Sequence, residues 1–162
     1  MMMQDPVDVV SMQWFDLIEV AALEVVTYPD DAWSQATWWA ELAGRPRRHY
    51  LVARSGDGVD GAIRGYAGID ITGENADVMT IAVAPQQRRT GLGSVLLARM
   101  HDAALQAGAS AMLLEVRADN AEARALYARH EYEQIATRAG YYGGVDAIVM
   151  RRALPGRGAS NA

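Results

Sequence analysis

Ile81-Ala82-Val83-Ala84-Pro85-Gln86-Gln87-Arg88-Arg89-Thr90-Gly91-Leu92-Gly93-Ser94 decides the fold of this chain. An apolar run meets Pro85, which has no N–H to give a strand ladder and so ends it. From Gly91 the period changes. Leu92, Val95, Leu96, Arg99, Met100, Ala103, Ala104 and Ala107 lie on one helical face until Gly108 stops the helix. A strand therefore runs through a glycine-containing turn into a helix. The free N–H groups at a helix start carry partial positive charge and bind phosphate. Gly91 and Gly93 allow close backbone approach, and Arg88 and Arg89 add charge. A Gly-x-Gly turn alone is equally consistent with a plain tight connection. Two familiar phosphate motifs are excluded: the third glycine of a dinucleotide fingerprint would fall at Leu96, and a P-loop requires a lysine. All 15 basic residues of this chain are arginine.

Working outward, Ala111–Val116 is a continuous apolar strand interrupted only by Glu115. Strand 77–84, helix 91–108 and strand 110–117 form a crossover unit, which makes those two strands parallel. Upstream, Val7–Met12 reads as a strand. Trp14–Val26 reads as a half-buried helix with the stripe Leu17, Ile18, Ala21, Ala22 and Val25. A second helix is expected over Ala32–Ala43, capped by Asp30 or Asp31 and stopped by Gly44 and Pro46. Tyr50–Ala53, Ala62–Thr72 and Asp77–Ala84 read as strands joined by turns. Downstream, Asp119-Asn120-Ala121-Glu122 resembles a capping box with Asp119 as the acidic cap, opening a helix to Arg129. Tyr132–Thr137 and Asp146–Arg152 complete the sheet. The order β-αα-βββ-α-β-α-ββ predicts an α+β domain of three layers, a mixed central sheet with helices on both faces, over residues 1–154. Residues 155–162 read as a flexible tail.

The 162 residues suit one domain, and 51% hydrophobic with 22% charged residues excludes wholesale disorder. The chain contains no cysteine, which removes disulfides, thiolate metal sites and a cysteine nucleophile. Three scattered histidines argue against a metal site, and none is expected. No apolar run reaches membrane-spanning length, and Met1–Asp5 lacks the features of a secretory signal, so a cytoplasmic protein without a membrane partner is expected. The net charge of -5 argues against a nucleic-acid partner and mildly favours a cationic substrate.

The Arg-x-x-Gly-x-Gly turn after an apolar strand resembles the diphosphate loop of the GCN5-related N-acetyltransferase family, and the resemblance extends from about Val7 to Leu154. Leu114-Glu115-Val116-Arg117-Ala118-Asp119-Asn120-Ala121, followed by Ala125-Leu126-Tyr127, resembles the signature of the bacterial ribosomal-protein-alanine N-acetyltransferases. So does Tyr141-Tyr142 shortly before Asp146-Ala147-Ile148-Val149-Met150. The resemblance implies acetyl-CoA as cosubstrate. Its pantetheine arm would pair with the backbone of Ile81, Ala82 and Val83, and its diphosphate would be held by Arg88, Arg89, Thr90, Gly91, Leu92, Gly93 and Ser94. It further implies Glu115 as general base, Tyr127 as general acid, Asn120 as a coenzyme contact, and Tyr141 or Tyr142 flanking a peptide. The acceptor implied is a protein N-terminus, an alanine on the eighteenth protein of the small ribosomal subunit. Separately, a monomer is expected. Two departures bear on substrate range. Glu131-Tyr132 stands where the family has Gly-Phe, and Gly143-Gly144-Val145 is a short connection.

The residue types suit acetyl transfer. A neutral amine must attack a thioester, and the departing thiolate needs a proton. At pH 7 deprotonating an α-amine costs roughly 1.4 kcal/mol, against roughly 4.6 kcal/mol for a lysine side chain. A glutamate acting directly or through one water can manage the smaller task. Among Leu113, Leu114 and Val116, desolvation is expected to raise the Glu115 pKa. Without a cysteine to carry an acyl group, direct transfer is expected.

Each residue also has a plainer reading. Glu115 suits a structural carboxylate paired with Arg117 or Arg138, Tyr127 a core residue, and Asn120 a helix cap. Trp33, Trp38 and Trp39 suit packing of the second helix, with Trp33 also a candidate lining for a peptide groove. Tyr141-Tyr142 suits an ordinary turn or a mobile capture loop. Arg45, Arg47 and Arg48 read as a solvated cluster, and His101 as solvent-facing and without a role. Acetylation of a small-molecule amine and non-catalytic acyl-CoA binding stand as the rival functions.

Overall fold

The computed structural model describes residues 6–56 and 61–155. All of the expected tail but Pro155, the first five residues and part of the 55–61 hairpin loop lie outside them. The elements are β1 (Val7–Ser11), a one-turn 3-10 helix (Trp14–Asp16), α1 (Leu17–Thr27), α2 (Gln35–Ala43), β2 (Arg48–Ser55), β3 (Ile63–Thr72) and β4 (Asn75–Val83). A second 3-10 turn (Pro85–Gln87) precedes α3 (Leu92–Gln106), β5 (Ala111–Arg117), α4 (Ala121–Arg129), β6 (Glu133–Tyr142) and β7 (Val145–Ala153). This is the expected order.

The strands form one mixed sheet in the order β1-β2-β3-β4-β5-β7-β6. The register of β4 with β5 is parallel, from Asn75 opposite Ala111 to Asp77 opposite Leu113, because α3 carries the chain between them. β7 pairs antiparallel with both β5 and β6. The chain packs as two compact units, Met1–Ile69 with Thr80–Met100, and Asp70–Met79 with His101–Ala162.

In the first unit Val20, Trp38, Val52, Tyr66, Ile69, Leu96 and Leu97 are fully buried. The buried face of α1 is not the expected stripe. Leu17, Val20 and Glu24 are buried, whereas Ile18 and Val25 are 78% and 56% exposed. The helix is apolar on two sides, so periodicity cannot choose between them. The choice falls with Glu24, a carboxylate that an apolar count passes over. Its Oε2 accepts from the Trp33 amide at 3.2 Å and from Trp38 Nε1 at 2.8 Å, and Tyr66 donates to Oε1 at 3.3 Å. Burial raises the Glu24 pKa, and these bonds oppose the rise.

Helix α2 begins later than expected because Ser34, rather than Asp30 or Asp31, is its cap; Ser34 Oγ accepts from the Thr37 amide at 3.1 Å. Trp38 is buried, while Trp39, expected to pack as well, is half exposed. Arg48 belongs to no solvated cluster: it pairs with Glu41 at 2.7 Å, and Tyr50 donates to the same carboxylate at 2.6 Å.

The second unit buries Ala104, Met112, Leu114, Val116, Tyr127, Tyr132, Ile148 and Met150. On β5 the even-numbered residues are buried, which sends Glu115 to the other face of the strand. His101 is a correction. It is 6% exposed, not solvent-facing, because both ring nitrogens have partners that periodicity does not reveal. β6 also exceeds expectation. It continues to Tyr142 and turns into β7 through Gly143 and Gly144, both at positive φ (58° and 103°), as a two-residue hairpin requires. Among the described residues no helix is long and apolar enough to cross a membrane.

Candidate active site

The first unit carries the expected coenzyme segment. Ile81 and Val83 are half-buried and alternate with buried Ala82 and Ala84, so β4 sets one face into the core. After Pro85 the chain tightens: the Gln87 amide donates to the Ala84 carbonyl at 2.8 Å, and Thr90 Oγ1 donates to the Gln87 carbonyl at 2.6 Å. Arg89 at φ 63° and Gly91 at φ 86° both hold the left-handed conformation. For arginine that backbone is strained, a condition that tends to be kept where a ligand needs the geometry. Leu92 is buried and anchors the start of α3, whereas Arg88, Arg89 and Gly91 are exposed and Gly93 and Ser94 half-exposed. The turn thus presents backbone N–H groups and two guanidinium groups, a donor set that fits a diphosphate.

A residue not singled out from the sequence also belongs here. The Tyr28 hydroxyl donates to the Ile81 carbonyl at 2.8 Å, joining the end of α1 to the expected pantetheine strand. The carbonyl keeps a second lone pair for another donor. Its one sequence signal is an aromatic residue before Pro29. Trp33, the candidate groove residue, is half-buried, its amide held by Glu24 and its ring 4.9 Å from Trp38.

The second unit carries the acid–base candidates. The Glu115 side chain is 31% exposed, and Arg138 Nη1 lies 3.1 Å from its Oε1. Glu115 therefore lies on the open face of β5, opposite Leu114 and Val116, and is not enclosed by apolar neighbours. Arg138 in turn stacks over the Tyr141 ring at 5.4 Å, and Arg117 over the Tyr142 ring at 5.5 Å. The two tyrosine rings stand perpendicular, 5.1 Å apart. They belong to β6 and are no mobile loop. Arg138 thus joins Glu115 to Tyr141. Burial, followed by the charges of Asp70 and Glu115, raises the Asp77 pKa.

Asn120, rather than Asp119, caps α4, its Oδ1 accepting from the Ala123 amide at 3.1 Å. Asp119 is instead held by Arg117 Nε and Nη2, each at 3.0 Å, a fork that lowers its pKa. Tyr127 is 6% exposed, its ring 5.8 Å from that of Tyr132.

The fold is thus a mixed seven-stranded sheet in which a glycine turn opens α3 and β5 presents a paired carboxylate. The chain belongs to the acetyltransferase (GNAT) family, whose sequence model matches residues 12–132. It is 37% identical to the N-alpha-acetyltransferase RimI of Mycobacterium tuberculosis, over 91% of this chain and 93% of that protein. It is also 37% identical to the ribosomal protein bS18-alanine N-acetyltransferase of Escherichia coli K12, over 76% of this chain and 80% of that one. The crystal structure of the Escherichia coli ribosomal-protein-S18-alanine N-acetyltransferase superposes with a TM-score of 0.82 at 27% identity, covering 97% of this chain and 99% of the other.

Proposed function

We propose that this chain transfers acetyl from acetyl-CoA to the α-amine of a protein N-terminus, an alanine on a ribosomal protein of the small subunit, in the cytoplasm. The observation that carries the reading is the 37% identity, across nine-tenths of the chain, to a protein named for N-alpha-acetylation. The donor set of the turn at Arg88–Ser94 supports the cosubstrate. Ile81, Ala82 and Val83 offer backbone groups to the pantetheine arm, and Asn120 is assigned a further coenzyme contact.

In this reading Glu115 takes a proton from the substrate ammonium, directly or through one water. The freed amine nitrogen forms a bond to the thioester carbonyl carbon. The carbon–sulfur bond then breaks, Tyr127 gives the thiolate its proton, and the second proton shed by the acylated nitrogen passes through solvent to restore the phenol. Tyr141, Tyr142 and Trp33 are assigned to the peptide, with the Arg138 stack fixing the first of them.

The test is mass spectrometry of peptides that differ in their first residue, incubated with the full chain and acetyl-CoA. Acetylation at the α-amine of peptides beginning with alanine is the expected result. Acetylation of polyamines or antibiotic amines with none on peptides would replace this reading with small-molecule transfer. Coenzyme binding without turnover on any amine would replace it with a binding module.

A further inference from the structure

Buried His101 and Tyr132 form, with half-buried Arg152, a network in the second unit that the proposed chemistry leaves unused. Arg152 Nη1 lies 3.1 Å from His101 Nδ1. A guanidinium only donates, so Nδ1 accepts, the imidazole is neutral, and its proton sits on Nε2. That N–H donates to the Tyr132 hydroxyl at 2.8 Å. Facing the imidazole are Arg152 from β7, Tyr132 just ahead of β6, and His130 at the end of α4, its ring 6.2 Å away. Burial first, then the charges of Arg152 and His130, lower the His101 pKa to about 4, so the single tautomer persists through neutral pH. Burial likewise pushes the Tyr132 hydroxyl up, keeping it protonated.

Tyr132 is 4% exposed and meets Tyr127 twice. Its ring packs against that of Tyr127 at 5.8 Å and 61°, and its amide donates to the Tyr127 carbonyl at 3.1 Å. A phenylalanine at this position would supply the ring but no anchor for it.

We propose that Arg152, His101 and Tyr132 are positioning residues for Tyr127: the guanidinium fixes the imidazole, the imidazole fixes the Tyr132 hydroxyl, and the fixed Tyr132 ring sets the angle of the Tyr127 ring. The proposal rests on the reading of Tyr127 as proton donor.

The test is steady-state kinetics of the full chain with acetyl-CoA and an alanine-starting peptide, comparing Tyr132→Phe, Tyr127→Phe and the double variant. Tyr132→Phe is expected to lower kcat about tenfold, as a displaced catalytic group does, with the KM for acetyl-CoA unchanged. In the Tyr127→Phe background the same change is expected to move kcat by less than about twofold, because the two act through one group. Undiminished kcat in Tyr132→Phe, or an equal loss in both backgrounds, overturns the relay. Full turnover in Tyr127→Phe alone would instead remove the proton-donor reading, and the relay with it. Nitrogen NMR of His101 in the unaltered protein tests the same claim whether or not the variants fold. A protonated Nε2 and bare Nδ1 at pH 7 are expected, and the opposite tautomer or an imidazolium overturns it.

Discussion

The segment Ile81–Ser94 and the strands carrying Glu115 and Arg138 offer a ligand different things. The first offers chiefly backbone, with the Arg88 and Arg89 guanidinium groups beside it: strand peptide groups, amides at the start of α3, and a turn held by left-handed Arg89 and Gly91. The second offers side chains: a carboxylate paired at 3.1 Å, guanidinium groups stacked on two tyrosines, and a phenol packed on another. A backbone site depends on φ, ψ and local hydrogen bonds, so substitutions there act through conformation. A side-chain site depends on functional groups, and one atom exchanged can remove the chemistry while leaving the fold intact.

The sharpest way to break this contrast is Glu115→Gln, which keeps the shape and removes the proposed base. Turnover is expected to fall about 10²–10⁴-fold, the usual share of general-base catalysis, in a stopped acetylation assay. A wild-type rate would return Glu115 to the role of a structural partner for Arg138. Tyr127→Phe is expected to lower turnover about 100-fold with acetyl-CoA affinity preserved, measured by kinetics beside calorimetry. Loss of affinity together with rate would show that the two regions are not separable in this way.

Protons supply the next contrast, since the side-chain region contains a titrating core group. His101 has its pKa lowered from 6.5 to about 4 in the folded chain. Its contribution to stability is therefore complete above the unfolded value and is lost as pH falls below it. Between pH 7 and pH 5 this group should account for about 2 kcal/mol of lost unfolding free energy. Urea titrations of the unaltered chain and of His101→Gln at both values check this, and an equal loss in the two proteins would contradict it.

On the backbone side, Gly91→Ala meets no neighbouring atom, so its effect must come from φ 86° alone. A strain of about 1–2 kcal/mol is expected to raise the KM for acetyl-CoA about tenfold and to change kcat less. An unchanged KM would detach this turn from the coenzyme. The smallest effect is expected at Glu131, which occupies φ 66° directly after α4, where glycine is unstrained. Its pairing with Arg152 at 3.5 Å is made from an 81% exposed side chain and is worth little. Glu131→Gly should therefore raise stability by about 0.5–1 kcal/mol, read from the midpoint of thermal unfolding. A loss would show that the pairing outweighs the strain.

The region legible in the sequence was the backbone one. Glycine, proline and the change from one apolar run to a 3.6-residue period are local signals, and they place β4, its turn and α3 without knowledge of any distant residue. Strand and helix order followed for the same reason. The carboxylate was legible only as a residue type in a resembling motif. Whether Glu115 sits buried or open depends on the alternation of β5, and its partner Arg138 comes from β6, 23 positions away. Asn120 caps α4 while Asp119 pairs with Arg117, a division of roles that composition does not record. Tyr28, Glu24 and the His101 network escaped notice for a related cause: each is a polar group satisfied by a residue remote in sequence.

By itself, then, the order of amino acids determined the element sequence, the parallel crossover and the turn at Arg88–Ser94, since these follow from short-range sterics and periodicity. Only the tertiary structure decided which face of α1 is buried, that Glu115 is open and paired, and that His101 is enclosed between Arg152 and Tyr132. Those outcomes turn on hydrogen bonds and ion pairs between residues far apart along the chain, and such bonds exist only once the chain has folded.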